Sequence, residues 1–288
     1  MPHFDTTDGL SLYYTDSSES WTEIAADSDN DVPVVLCLAG LTRNSGDFRF
    51  VLPFLPEHRV IRMDYRGRGQ SDWAEDISTY SVAQEAADAI ALLDHLGIER
   101  ATILGTSRGG LIAMLLAATH PQRLRGAILN DIGPEIAPGG LNRIFEYVGH
   151  RPAYDDFDAA ADGLKAAMEP RFPGVTRDRW RLHAELIWKE AEDGLDLRYD
   201  ARLRDALTHQ AGAGPAPDLW VLWDALAALP VTVLHGANSD LLNTDILSRM
   251  QARARAMRGV TVPDRGHVPF LDEREALQGI LSHLKDYA

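Results

Sequence analysis

Ser107, a late histidine and a choice of two aspartates give this 288-residue chain the residue types for nucleophilic catalysis. Ser107 lies in Gly105-Thr106-Ser107-Arg108-Gly109, directly after the apolar run 101–104. A hydroxyl nucleophile needs exposure, a base to take its proton, and donors for the oxyanion. A strand that turns sharply into a helix supplies exposure. The two glycines remove side chains that would collide in so tight a turn, and Ser107 takes a strained backbone that lifts its hydroxyl off the sheet. The base should come late in the chain. His267 follows the strand candidate 259–264 and the turn Arg265-Gly266, and it precedes the last helix. His58, His95, His120 and His283 sit in or beside polar helix or loop contexts, and His235 closes a strand as a packed residue.

Two carboxylates compete to orient that imidazole. Asp240 lies in the loop Gly236-Ala237-Asn238-Ser239-Asp240, and Asp131 ends the run 125–131. Both follow the carboxyl ends of strands, where sites in open α/β sheets gather. The order Ser, Asp, His is met by either. Asp240 is preferred because it follows the strand before His267 and belongs to a turn-like loop, which leaves Asp131 a place in the pocket wall. The expected oxyanion donors are the backbone N–H of Arg108, at a helix N-terminus, and that of Leu41, after Gly40. The Arg108 guanidinium cannot lose its proton. If buried it needs an anionic or carbonyl partner, for which Asp131 or a substrate carboxylate is expected.

Short β-branched runs alternate with helical patterns along the chain. Strand candidates are 10–14, 33–39, 59–64, 101–105, 125–131, 231–236 and 259–264. Helices are predicted over 81–96, 108–119 and 272–286, the first carrying an apolar stripe and the last opening with a capping-box pattern. The expected fold class is therefore α/β: a mostly parallel central sheet flanked by helices. The alternation breaks over 134–218, where only helical or irregular patterns occur among Tyr147, Tyr154, Phe172, Trp180, Trp188 and Tyr199. This stretch reads as a helical cap or lid inserted into a core of 1–133 and 219–288.

The totals narrow the partners. A formal net charge of −15 repels phosphate backbones and anionic membrane surfaces. No apolar segment approaches a membrane span, and the N-terminus shows no signal-peptide pattern, so a cytoplasmic location is expected. The one cysteine, Cys37, excludes an internal disulfide and reads as a buried hydrophobe. No phosphate-cradling loop or zinc-ligand spacing appears, so neither cofactor nor metal is expected.

With these motifs in place the chain resembles the α/β-hydrolase fold superfamily over nearly its whole length. The likeness rests on Gly105–Gly110, on Asp64-Tyr-Arg-Gly-Arg-Gly-Gln-Ser-Asp72, on Leu234–Asp240, and on Asp264–Glu273 around His267. It implies that Ser107, Asp240 and His267 form the triad, that Leu41 and Arg108 form the oxyanion hole, and that a helical cap covers the pocket. The 64–72 turn is implied to be structural. Two departures stand out: Ala39-Gly40 replaces the His-Gly of many members, and Arg108 follows the nucleophile in place of an apolar or small polar residue. Ser107 argues against the dehalogenases and epoxide hydrolases of the same fold, which carry Asp there. The expected activity is hydrolysis of a carboxylic ester or lactone of small to medium size through an acyl-enzyme, with Arg43, Asp131 and Trp188 as candidate substrate contacts. Hydrolysis of carbon–carbon bonds in ring-cleavage diketones, acyl transfer, and non-catalytic ligand reception stay open. The oligomeric state is not legible.

Overall fold

The apolar runs become strands of a single eight-stranded sheet. The computed structural model describes residues 2–20, 32–214 and 217–287. Residues 1, 21–31, 215, 216 and 288, which fall in the expected core and hinge, lie outside the described residues. The strands are β1 (His3–Asp5), β2 (Ser11–Asp16), β3 (Val34–Leu38), β4 (Arg59–Met63), β5 (Ala101–Thr106), β6 (Leu124–Asn130), β9 (Val231–Gly236) and β10 (Met257–Val262). A separate hairpin contains β7 (Trp188–Ala191) and β8 (Gly194–Leu197). The sheet order is β1-β2-β4-β3-β5-β6-β9-β10. From β4 to β10 all pairs are parallel, while β1–β2 and β2–β4 are antiparallel.

Helices cover both faces, which is why the central strands are buried at nearly every position. The helices are α1 (Val82–His95), α2 (Arg108–Thr119), α3 (Gly140–Tyr147), α4 (Phe157–Met168), α5 (Arg177–Ile187), α6 (Leu203–Gly212), α7 (Trp220–Leu226), α8 (Thr244–Arg253) and α9 (Arg274–Tyr287). Along β3 the side chains alternate between two cores. Leu36 and Leu38 pack with α1, α2, α7 and α8, and Val35 and Cys37 pack with Phe48, Val51, Ala276 and Ile280 on the other face. Ser81 caps α1 by accepting from Gln84 N at 3.2 Å, and Gly97 at φ 65° ends it. Among the described residues no helix is long and apolar enough to cross a membrane.

Between β6 and α7 the chain leaves the sheet. This stretch holds α3 to α6, and also the hairpin β7–β8, where the sequence reading expected only helix or irregular structure. The signal was present: Glu192-Asp193 forms the turn, Gly194 opens β8 at φ 111°, and Leu195 and Leu197 alternate inward. The stretch is stitched to the turn after β4. Gly69 N–H donates to Arg198 O, Asp200 N–H to Gly67 O, and Tyr80 Oη to Asp200 Oδ2.

Candidate active site

The strand β5 ends, Ser107 turns the chain, and α2 begins at the next residue. Ser107 has φ 49° and ψ −109°, a left-handed backbone that a non-glycine residue adopts only when its surroundings impose it. They do so here. A Cβ on Gly109 would sit 2.0 Å from Leu38 O, and one on Gly105 would sit 2.6 Å from Gly109 C. Only glycine at both positions lets α2 approach β3 and β5 this closely. Ser107 Oγ lies 3.0 Å from His267 Nε2, and His267 Nδ1 lies 2.9 Å from Asp131 Oδ2. The structure thus joins Ser107 and His267, which stand 160 residues apart in the chain.

It does not bring Asp240 to the imidazole, and the preference for Asp240 is corrected on geometry. Asp131 follows β6 immediately, at φ 57°, and its side chain is fully buried. Its Oδ1 accepts from Gly236 N at 2.8 Å and its Oδ2 from Ser239 Oγ at 2.6 Å. The 236–240 loop therefore serves the imidazole through Ser239, which holds Asp131. Asp240, one residue on, turns away from the imidazole to Arg143 and Arg171. Because β6 lies between β5 and β9 in the sheet, the residue closing β6 stands between the serine turn and the histidine loop. Asp131 thus moves from the expected pocket wall to the back of His267. Asn130 ties the same elements together, donating from Nδ2 to Thr106 Oγ1 at 3.2 Å and to Pro269 O at 3.0 Å.

The Arg108 side chain does not meet Asp131, the protein partner expected for it. Its Nε contacts Glu85 Oε2, and its Nη2 donates to Tyr80 O at 3.2 Å. Glu85, fully buried on α1, also meets Arg68 Nη2 at 2.9 Å. Arg68 in turn donates from Nε to Leu41 O at 3.0 Å and from Nη1 to Arg66 O at 2.6 Å. Its guanidinium stands 5.2 Å from the Tyr80 ring centroid and 5.7 Å from that of Tyr65. Burial pushes the Arg68 pKa down, against Glu85, which holds the charge. The 39–43 loop has further supports: Ala39 O accepts from Tyr65 Oη and Gly109 N–H, and Gly40 O accepts from Arg43 N–H. A peptide N–H points opposite its carbonyl, so fixing Gly40 O also fixes the direction of the Leu41 N–H. The Arg108 N–H opens α2 and has no acceptor within the helix. The rest of the 64–72 turn is structural: buried Arg66 pairs with Asp88 and Asp8, and Asp64 accepts from Ser45 and Gln70 N–H.

Ser107 and His267 open into a cavity of about 830 Å³. Its floor includes Gly40, Leu41 and Thr106, and its far wall includes Leu164, Phe172, Trp180, Ile187 and Trp188 from the stretch between β6 and α7. Trp188 lines the cavity, with its ring 5.5 Å from that of Tyr154. Arg43 lines it too, held by Asp47 in a two-point contact at 2.7 and 2.6 Å. His183 packs edge-on against Trp180 and Phe270, and burial pushes its pKa well below the usual imidazole range, so it is neutral at neutral pH. Sequence reading missed Arg143, Arg171 and His183 as lining residues. Their signal was only that they lie in the aromatic stretch.

The profile of a family described as alpha/beta hydrolase fold matches residues 33–274. A 3-hydroxybutyrate-oligomer hydrolase from Cupriavidus necator is 36% identical over 249 residues, covering 83% of this chain and 84% of that protein. An esterase from Mycobacterium tuberculosis is 28% identical over 88% of this chain and 83% of its own length. Among solved structures, an alpha/beta hydrolase from Novosphingobium aromaticivorans superposes with a TM-score of 0.88 at 37% identity, covering 99% of this chain and 97% of that one.

Proposed function

The chain belongs to the alpha/beta hydrolase fold family, and from that premise we propose that it is a serine hydrolase that cleaves a carboxylic ester of a small to medium, partly apolar substrate through an acyl-enzyme on Ser107. The observation that carries this reading is the chain Ser107 Oγ–His267 Nε2 at 3.0 Å and His267 Nδ1–Asp131 Oδ2 at 2.9 Å, opening into a cavity of about 830 Å³. His267 Nε2 takes the proton as Ser107 Oγ attacks the ester carbonyl carbon. Asp131 fixes the imidazole tautomer and stabilises the imidazolium without taking the proton itself. The N–H groups of Leu41 and Arg108 receive the oxyanion. The tetrahedral intermediate collapses, the alkoxide leaves with the proton from His267, and Ser107 keeps the acyl group. Water, deprotonated by His267, then attacks the acyl carbon and releases the carboxylic acid.

The residues between β6 and α7 act as the cap over this pocket in the same reading, with their aromatic wall taking the apolar body of the substrate. The chemistry calls for no cofactor or metal. We place the protein in the cytoplasm, as a chain whose single cysteine, Cys37, is buried with its thiol pKa pushed up to about 12 by burial. The test is a panel of 4-nitrophenyl esters, lactones and 3-hydroxybutyrate oligoesters, run on the wild type and on Ser107→Ala. Turnover by the wild type, covalent labelling of Ser107 by a fluorophosphonate, and loss of both in Ser107→Ala are expected. A wild type that turns over no ester sinks the reading.

A further inference from the structure

We propose that Arg143 and Arg171 form a carboxylate-binding subsite in the cavity wall, and that the ester this site takes carries a free carboxylate. This rests on the esterase reading above and names its substrate class.

The case begins with donors and acceptors. Arg143 Nη1 and Arg171 Nη1 end on the same oxygen, Asp240 Oδ2, the second at 3.0 Å. Two guanidiniums bring ten N–H donors and two positive charges to one carboxylate. Among the described residues no other protein oxygen meets the surplus: the other contact of the Arg171 guanidinium, from Nη2, is the thioether of Met168 at 3.2 Å, a weak acceptor standing where an oxygen would serve. All four residues line the same cavity as Ser107 and His267.

The other arginines of the wall are matched. Arg43 is matched by Asp47, and Arg151 by Asp193 in a two-point contact. His183 is neutral. Glu146, on α3, faces the cavity but forms no ion pair among the described residues, so it does not answer the surplus on Asp240. Within a chain of formal net charge −15, this wall therefore concentrates unanswered guanidinium donors. A second carboxylate completes the set as two arginines to two acids, with geometry suited to a planar anion.

The subsite is also built in place. The Arg171 side chain packs against Gly266, the residue before His267, and Asn238 Nδ2 holds Arg171 O at 3.1 Å. Arg143 stands on α3, whose first residue, Gly140, lies against Asp240 O and Leu241. The arginines thus share an anchor with the loop that holds Asp131 and with the one that carries His267. A bound carboxylate is fixed relative to the reacting centre, and monoesters of dicarboxylic acids and oligoesters of hydroxy acids have the required form.

The experiment measures binding, so it does not depend on turnover. Monomethyl adipate, an anion, is compared with dimethyl adipate by calorimetry on Ser107→Ala, and then with Arg171→Met, Arg143→Met or Asp240→Asn added. The anion is expected to bind at least about tenfold more tightly than the diester, as a charge-assisted contact implies. Each arginine substitution removes most of that preference, and Asp240→Asn, which frees both guanidiniums, enlarges it. Thermal melts identify any variant that fails to fold, and the remaining two still decide the matter. Equal binding of the two ligands, or a preference that survives both arginine substitutions, overturns the subsite. Failure of the esterase reading shows separately, as absence of ester turnover by the wild type.

Discussion

Arg68, Glu85 and Arg108 beneath the serine turn, and Arg143, Asp240 and Arg171 in the cavity wall, share one stoichiometry: two guanidiniums on one carboxylate. Their surroundings differ. The side chains of the first group are 1%, 0% and 7% exposed, and those of the second 47%, 28% and 25%. In the dry group the surplus charge is answered internally, by the carbonyls of Leu41, Arg66 and Tyr80 and by the faces of two tyrosine rings. Every donor so used fixes a piece of backbone, and one of those pieces is the loop proposed to hold the oxyanion. In the wet group water answers the surplus and can be displaced. The same trio is structural where it is buried and available to a ligand where it is not.

The comparison assigns Asp240 to electrostatics and leaves the imidazole to Asp131, and breaking that assignment gives the largest effect. Asp131→Asn should lower kcat on a neutral ester by about 10⁴, because the amide favours the wrong imidazole tautomer. Asp240→Asn should cost only a small part of that loss. Steady-state kinetics on one neutral ester decide between them. If the larger loss falls on Asp240→Asn, both the imidazole partner and the subsite are misassigned.

Stability separates the two groups next. Glu85→Gln keeps the shape of the side chain but leaves two buried guanidiniums without a counter-charge, at a cost of about 3–5 kcal/mol. Arg108→Met should cost less, since it removes the surplus charge and leaves Arg68 and Glu85 as a matched pair. Asp240→Asn should stay within about 1 kcal/mol, as partly exposed ion pairs do. Denaturant unfolding measures all three. An Arg108→Met more damaging than Glu85→Gln would mean that packing, not charge, holds the turn.

The sequence made half of this visible. Ser107 was legible because a strand, two glycines and a helix leave one geometry for the residue between them, and His267 because a glycine-bearing loop before the last helix has few other uses. The acid was not. Asp131 and Asp240 both follow strands, and what divides them is side-chain direction: Asp131 turns inward at φ 57°, while Asp240 lies one residue past the Ser239 that holds Asp131. Arg108's partner was hidden for another reason. Glu85 lies on the same buried face of α1 as Ala86, Ala89 and Leu92, where the apolar stripe drew attention to its neighbours. An acid on an apolar stripe is a conflict of pattern that only a buried cation resolves. The paired arginines of the cavity wall gave no such conflict, since exposed charges on α3 and beyond α4 read as ordinary surface.

Salt gives the smallest effect and tests the comparison without altering a residue. Raising ionic strength from about 0.1 M to about 1 M shortens the screening length from about 10 Å to about 3 Å. Water reaches Arg143, Asp240 and Arg171, so the preference of the cavity for monomethyl adipate over dimethyl adipate should fall by about threefold or more over that range, as interactions of exposed charges do. Water does not reach Glu85, and the stability difference between wild type and Glu85→Gln should hold nearly constant, because buried pairs are screened much less. Calorimetry at the two salt concentrations gives the first quantity and thermal melts the second. A preference indifferent to salt would place the anion in a dry contact away from the two arginines. A Glu85→Gln penalty that fades with salt would show that water enters beneath the serine turn, and the division between the two groups would fail.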